Sequence, residues 1–188
     1  MSQRDFRTLS LLEVAKGIEA VAVGAEIAFG SLDEGQLNWK PDPKRWSIGQ
    51  CFEHLVTSDQ LMLASAKSAI AHGPTSVWQR MRWWSSLWGR EMIRTQGPVV
   101  GRKFTAPSKS TPPSAAPADI VSRFVQQHRE LETWARGLDE SQVQAIMVSP
   151  FVRVVTYSVM DGLRLLVAHD WRHFEQARRV MAGVTGKS

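Results

Sequence analysis

Apolar residues recur in alternating steps of three and four positions between residues 11 and 32. This spacing places them on one face of an α-helix, because a helix completes a turn about every 3.6 residues. The residues of this face are Leu11, Val14, Ile18, Val21, Ala25, Ala28 and Leu32. A helix with one apolar face must bury that face against another element. The sequence therefore predicts a long first helix that requires helical partners.

Two further segments carry signals for helix starts. Ser47, followed three residues later by Gln50, has the pattern of a capping box, in which two side chains satisfy backbone donors at a helix N-terminus. The second helix should run from this box to about Ala71. A third helix is predicted from Asp119, as its N-cap, to about Gly137, because apolar residues again recur at helical spacing there.

The fourth predicted helix begins at Ser158 and Asp161, which could close another N-terminal box, and runs to about Gly183. Four amphipathic segments without convincing strand alternation predict an all-α fold, a four-helix bundle in one domain over residues 1–188. More than 40 residues separate helices two and three. That length exceeds the usual bundle loop, so we expect a long crossover insert at about residues 73–117, which could make those helices parallel.

Two histidines interrupt the apolar face of the fourth helix. That face is formed by Val159, Gly162, Leu166, His169, His173, Gln176 and Val180. Residues four apart on a helix have neighbouring side chains, so His169 and His173 can close on one metal ion. Surface or hydrogen-bonded core histidines are the alternative interpretation. A zinc-protease motif does not match, because Asp170 stands where that motif needs Glu.

A third ligand would favour the metal interpretation, and His54 is the best candidate. It lies early in the second helix, and in an antiparallel pair this part faces the late part of the fourth helix. We expect His72 at a helix end and His128 at a solvated or rim position. No general acid or base is assigned: the nearby candidates are Gln50, Glu53, Asp170 and Gln176, and acidic residues on helices are usually solvated.

A family resemblance rests on two segments, KRWSIGQCFEHLVTSD and LLVAHDWRHFEQARRVM. They resemble the DinB-like superfamily, which includes YfiT-type hydrolases and thiol-dependent transferases. In those bundles a histidine from helix two and an H-x-x-x-H pair from the last helix bind a divalent metal. The resemblance carries these roles onto His54, His169 and His173. It covers most of the chain in order and spacing.

Three histidine ligands leave an open coordination position, as in catalytic sites, and zinc or nickel suits imidazole ligands. Together with an open coordination position, the resemblance implies a metal-dependent small-molecule enzyme of the thiol S-transferase or hydrolase type, with a low-molecular-weight thiol as one candidate substrate. A homodimer is a further open expectation. Cys51 is an alternative fourth ligand or reactive thiol, but a small buried hydrophobe is the favoured interpretation.

The insert holds the positive charge of the chain. The formal net charge is +5, and residues 72–113 alone contribute a net +6. The same segment contains Trp78, Trp83, Trp84 and Trp88. A non-catalytic bundle that binds nucleic acid, membrane or another protein through this surface is the alternative function. We favour a lid that borders the metal end and helps bind an anionic or aromatic substrate, and we expect no nucleic-acid partner.

The sequence shows no sign of insertion into a membrane or of export. The most apolar stretch, residues 11–30, is interrupted by Glu13, Lys16, Glu19 and Glu26. The amino terminus lacks the apolar run of a secretory signal. One cysteine cannot form an internal disulfide, which agrees with a reducing compartment. We expect a cytoplasmic protein without a transmembrane segment.

Overall fold

The structure is a computed structural model, and it describes residues 5–73, 91, 93, 108–152 and 154–185. Four long helices form a bundle in this part of the chain, as the sequence predicted. They are α1 (Leu11–Phe29), α3 (Ile48–His72), α4 (Ile120–Arg136) and α6 (Val159–Thr185). Two short helices, α2 (Glu34–Asn38) and α5 (Glu140–Val143), lie in the connections. The all-α four-helix bundle is confirmed.

The predicted helix starts differ in how completely they are capped. Ser47 and Gln50 form the predicted capping box, with Gln50 N donating to Ser47 Oγ at 3.1 Å. Asp119 occupies the N-cap position of α4 but makes no side-chain capping bond. At the start of α6, Ser158 Oγ accepts from Asp161 N at 3.0 Å, whereas the Asp161 carboxylate accepts from Arg164 Nη1 at 3.0 Å.

The four long helices form a closed ring in which α1 packs on α4 and α6, and α3 packs on the same two helices. Helices α3 and α6 are antiparallel, since His54 in early α3 meets His169 near the middle of α6, whereas Met62, further along α3, meets Tyr157 just before α6 begins. Helices α3 and α4 are parallel, because Phe52 contacts Phe124 and, further along both helices, Val56 O accepts from Gln127 Nε2. This parallel pair is the arrangement that the long insert allows.

A small hairpin, which the sequence did not predict, precedes α6. Strand β1 (Ile146–Val148) pairs antiparallel with β2 (Thr156–Ser158), and Met147 lies opposite Tyr157. Each strand has three residues, too few for a period-two pattern to be recognised. Ser65 Oγ in α3 donates to Val148 O at 2.6 Å and so ties the hairpin to the bundle.

The core consists of two apolar clusters with polar residues between them. The hairpin-side cluster includes Leu131, Met147 and Tyr157, and the loop-side cluster includes Leu37 and Phe52. Between them lie seven residues, which we call the polar layer: His54, Ser58, Asp59, His128, His169, Asp170 and His173. They come from α3, α4 and α6, and the first helix contributes none of them.

Much of the insert lies outside the described residues, including all four tryptophans named above. Ile93 is buried in the hairpin-side cluster, and residues 108–116 return along the loop-side end of the bundle. Within the described ranges, no helix combines the length and the apolar character needed to cross a membrane.

Candidate metal centre

The structure brings together the three histidines that the sequence selected. His54, His169 and His173 each present one ring nitrogen, and these atoms all lie within 4.8 Å of one another. The Nε2 atoms of His54 and His169 are 3.2 Å apart. Two nitrogens bound to one tetrahedral ion at about 2.0–2.1 Å would lie about 3.3 Å apart, so this separation suits chelation.

The backbone at the end of the insert orients His54. The ring Nδ1 lies 2.6 Å from the carbonyl oxygen of Ser110. A carbonyl only accepts, so Nδ1 carries the proton and donates, which leaves the Nε2 lone pair directed at His169. A metal-binding histidine normally uses its second ring nitrogen in this way. The Ser110 carbonyl therefore fixes the tautomer that a metal ion requires.

All three rings are held in the neutral form. Burial lowers the pKa of His54. Burial, followed by the charges of His173 and His54, lowers the pKa of His169 well below its ordinary value. Burial, followed by His54 and Arg172, lowers the pKa of His173 to about 3. A neutral imidazole is the form that binds metal, so the three rings are ready to act as ligands near neutral pH.

His173 supplies an independent test of whether a metal fits. Its Nδ1 is buried and has no hydrogen-bond partner among the described residues. A buried nitrogen without a partner costs roughly 1–3 kcal/mol, so its persistence needs a compensating interaction. Coordination of a cation by the histidine group would provide one. The donor set, the spacing and the neutral rings all fit a divalent transition metal.

Two segments cover the site, one that the sequence did not assign to it and one that belongs to the insert. Trp46, in the loop before α3, stacks on His173 with ring centroids 5.7 Å apart and lies against His54 at 5.0 Å. The other cover is the 108–116 segment, whose Pro113 carbonyl accepts from Gln50 Nε2 at 2.7 Å. Part of the expectation for the insert is therefore met, since its described end borders the histidines.

A close backbone approach holds this cover in place. A Cβ added at Gly49 would lie 2.6 Å from the Cβ of Ala116 and 3.2 Å from the carbonyl oxygen of Leu37. Asn38 also bonds Ala116 twice, donating to its carbonyl at 2.9 Å and accepting from its N–H at 2.8 Å. The absence of a side chain at Gly49 lets α3 contact both covering segments.

A second group of titratable residues lies beside the histidines. His128 Nε2 is 3.1 Å from Asp170 Oδ2 and 3.9 Å from Asp59 Oδ2. The three residues are 0%, 0% and 2% exposed, respectively. The expectation of a solvated or rim position for His128 is therefore wrong, and Asp170 is also buried rather than solvated. Helix α6 contacts α1, α3 and the hairpin, so it buries more than one stripe of residues.

The proton positions in this second group follow from its contacts. His128 Nδ1 lies 3.1 Å from the Phe124 carbonyl, so Nδ1 carries the proton and donates to it. Burial lowers the pKa of His128 and raises the pKa of Asp170 well above its ordinary value. Nε2 is then the ring nitrogen that faces Asp170 Oδ2, 3.1 Å away. Burial, and then the charge of Asp170, likewise raises the pKa of Asp59.

Of the other residues considered from the sequence, Gln176 hydrogen-bonds His173, whereas Cys51, Glu53 and His72 lie apart from the histidine group. Cys51 is 1% exposed, and burial raises the pKa of its thiol to about 12. It packs in the loop-side cluster, as the favoured interpretation had it. Glu53 pairs with Arg123 at 3.5 Å. His72 is exposed at the end of α3, with its Nδ1 3.1 Å from the Ser68 carbonyl.

Comparisons with known proteins agree with this fold. The family model described as the DinB superfamily matches residues 19–177. The solved structure of YfiT from Bacillus subtilis matches with a TM-score of 0.61 and 14% sequence identity, covering 98% of this chain and 94% of that one. YfiT is described as "a probable metal-dependent hydrolase with an unusual four-helix bundle topology". None of the curated proteins matches the sequence. The extent of the family match shows that the chain belongs to the DinB superfamily.

Proposed function

We propose that this chain is a metal-dependent enzyme that acts on a small molecule. His54, His169 and His173 bind one divalent ion, zinc or nickel, and the reaction is a hydrolysis or a thiol S-transfer. The observation that carries the proposal is the group of three neutral ring nitrogens within 4.8 Å of one another. The description of YfiT as a probable metal-dependent hydrolase supports the hydrolytic form of the proposal.

The bound ion would supply Lewis acidity and an open coordination position for a water, a thiol or a carbonyl group. Two residues around the site orient and cover the histidines that would bind it. The Ser110 carbonyl keeps the Nε2 lone pair of His54 directed inward. Trp46 covers His173 with an aromatic ring and excludes water from that side. These contacts keep the ligands oriented before the ion binds, which lowers the entropy lost on binding.

The charge around the site favours an anionic substrate. Arg172 and Arg179 both lie close enough to lower the pKa of His173. Burial and the charge of Arg179 lower the pKa of Arg172 itself. A local excess of positive charge raises the concentration of anions at a partly covered site. A carboxylate- or thiolate-bearing small molecule therefore suits this surface, and a low-molecular-weight thiol remains within that class.

The first test measures metal content. Protein purified without a chelator or a polyhistidine tag is loaded with zinc or nickel, desalted and subjected to elemental analysis. We expect about one equivalent in the wild type, because three imidazoles form a single site. His169→Ala should lose the metal, and His72→Ala, the same change at an exposed histidine, should keep it. A wild type that retains almost no metal would refute the proposal and favour a non-catalytic bundle.

The second test concerns the reaction. The loaded wild type, the chelated wild type and His169→Ala are compared in amide-hydrolysis and thiol-transfer screens. We expect activity only in the loaded wild type. His169→Ala should remain a folded helical protein by circular dichroism, because both apolar clusters are intact and water can fill the polar void. Loss of its helical signal at room temperature would assign the ion a structural role. A loaded but inactive wild type would contradict the proposed reactions.

A further inference from the structure

Three hydrogen-bond acceptors converge in the polar layer beside the histidine group. His128 donates through Nδ1 to the Phe124 carbonyl at 3.1 Å, so Nε2 of the neutral ring carries a lone pair. That nitrogen lies 3.1 Å from Asp170 Oδ2 and 3.9 Å from Asp59 Oδ2. Carboxylate oxygens are acceptors as well. Acceptors repel one another at such distances unless a positively charged atom lies between them.

The two carboxyl groups of this cluster are buried and have few other partners. Neither oxygen of Asp59 makes a hydrogen bond with the described residues, and Oδ1 of Asp170 makes none with them either. His128 and Asp170 are 0% exposed, and Asp59 is 2% exposed. The two apolar clusters lie on either side. Buried oxygens without partners are costly, and a bound ion is one of the causes that explain them in native proteins.

We propose that Asp59, His128 and Asp170 bind a second divalent cation. None of these residues belongs to the histidine group proposed to bind zinc or nickel, so the inference goes beyond the proposed function. An imidazole nitrogen suits a transition metal and carboxylate oxygens suit a harder ion, so the mixed set points to Mn²⁺. The two carboxylates balance the charge of the ion. The cation and its ligands therefore add no net charge to the apolar interior.

The separations between the three ligands fit one ion. Adjacent ligands of an octahedral ion at about 2.1 Å lie about 3.0 Å apart, close to the 3.1 Å between His128 and Asp170. The 3.9 Å between His128 and Asp59 shortens with a small rotation of the Asp59 side chain, which breaks no hydrogen bond. The Phe124 carbonyl orients the imidazole, as the second nitrogen of a metal-bound histidine normally requires. The ligands therefore need little rearrangement to bind the ion.

The second cation would lie beside the first along the polar layer. A ring nitrogen of His169 lies within 4.8 Å of an oxygen of Asp59 and an oxygen of Asp170. A ring nitrogen of the same residue also belongs to the group with His54 and His173. Neighbouring divalent ions are typical of two-metal hydrolases, in which both charges stabilise the reacting oxygens. A second ion would thus add positive charge next to the proposed reaction site.

The test titrates Mn²⁺ into chelated protein that has been reloaded with one equivalent of zinc. Zinc suits imidazole ligands, so it fills the histidine group first. Electron paramagnetic resonance follows the uptake, because the signal of free aqueous manganese weakens on binding. We expect about one bound manganese ion per chain, since the three ligands form a single site. His173→Ala should lose the zinc and still take up manganese, because none of the three proposed ligands is changed.

Asp59→Asn and His128→Gln test the ligands one at a time. Loss of a hydrogen bond to a metal ligand typically lowers metal affinity about 10–100-fold, and removal of a ligand should cost at least as much. Both variants should therefore bind manganese at least about tenfold more weakly and keep their zinc. Asp119→Asn, at an exposed position without a capping bond, is the matched control. Circular dichroism of each ion-free variant checks its fold.

Electron spin echo envelope modulation reads the ligands without any variant. In the zinc-loaded wild type it should show a single histidine nitrogen bound to manganese, and His128→Gln should lose that nitrogen. Manganese without a nitrogen ligand, or wild-type affinity in both ligand variants, would place the ion on surface carboxylates and overturn the inference. No uptake by the wild type would also overturn it and leave protons between the three acceptors. Uptake of manganese without zinc would instead refute the proposed function and leave the second site intact.

Discussion

Acid should destabilise the ion-free protein through its buried histidines, and His173→Gln isolates the largest contribution that the structure quantifies. The pKa of His173 is about 3, against 6.5 for an unperturbed histidine. Below pH 6.5 the unfolded chain therefore takes up a proton at this position that the folded chain does not. The free energy of unfolding falls as the pH falls, by roughly 1.4 kcal/mol for each pH unit until about pH 3.

At pH 5, about 1.5 units below the ordinary pKa of histidine, the protonation of His173 in the unfolded chain should lower the free energy of unfolding of the wild type by about 2 kcal/mol. His173→Gln should not show this loss. Above pH 6.5 the contribution of His173 does not vary with pH. His54 and His169 have lowered pKa values as well, and they increase the loss in the wild type. The raised pKa of Asp59 has the opposite effect, because its stabilisation is present at low pH and is lost as the pH rises. Asp59 is common to both proteins.

The assay is urea unfolding of chelated wild type and His173→Gln at pH 7.5, 6.5, 5.5 and 4.5, followed by circular dichroism. The stability of the variant minus that of the wild type should stay constant between the two higher values and then grow as the pH falls. His72→Gln, at the exposed end of α3, is the control for loss of a histidine outside the site. Parallel stability curves for wild type and His173→Gln would refute the assignment of a neutral, buried ring.

Three other predictions concern the surroundings of the site. In urea unfolding, Gly49→Ala should lower the free energy of unfolding by about 1–3 kcal/mol, because the new Cβ overlaps Ala116. Gly137→Ala is the control: the nearest atom to its new Cβ is 3.5 Å away, and the change should be less than about 1 kcal/mol. Cys51 should not react with a thiol reagent in the folded protein and should react in urea, as a spectrophotometric thiol assay would show. Trp46→Leu should speed the removal of zinc by a chelator, because the ring covers two site histidines; an unchanged rate would contradict that role.

The grouping of the three histidines could be predicted because helical periodicity carries most of the information. His169 and His173 are four residues apart on a stripe that is otherwise apolar, and His54 has the matching position on the antiparallel helix. Local pattern alone thus identifies side chains that must enter the core. Their role as ligands remains a proposal that metal analysis decides.

The neighbours of the histidines could not be predicted in the same way. His54 and Ser110 are 56 residues apart in sequence, and their contact depends on where a long irregular segment returns to the bundle. Asp170 follows His169 directly and lies off the predicted stripe. It is buried because α6 packs against several elements, so the rule of one buried face fails for this helix. The apolar face that a sequence predicts for one helix does not show how many other elements will pack against that helix.

The polar layer explains how the bundle could fold with or without an ion. Burial lowers the pKa of its imidazoles and raises the pKa of its carboxyl groups, so both kinds of group are driven toward their uncharged forms. An uncharged layer between two apolar clusters avoids the large cost of buried charge. A divalent cation would introduce charge into this layer, and the three imidazoles alone could not compensate for it. Asp59 and Asp170, whose oxygens lie within 4.8 Å of a ring nitrogen of His169, could compensate for it by giving up a proton, so the buried acids and the histidines belong to one chemical unit.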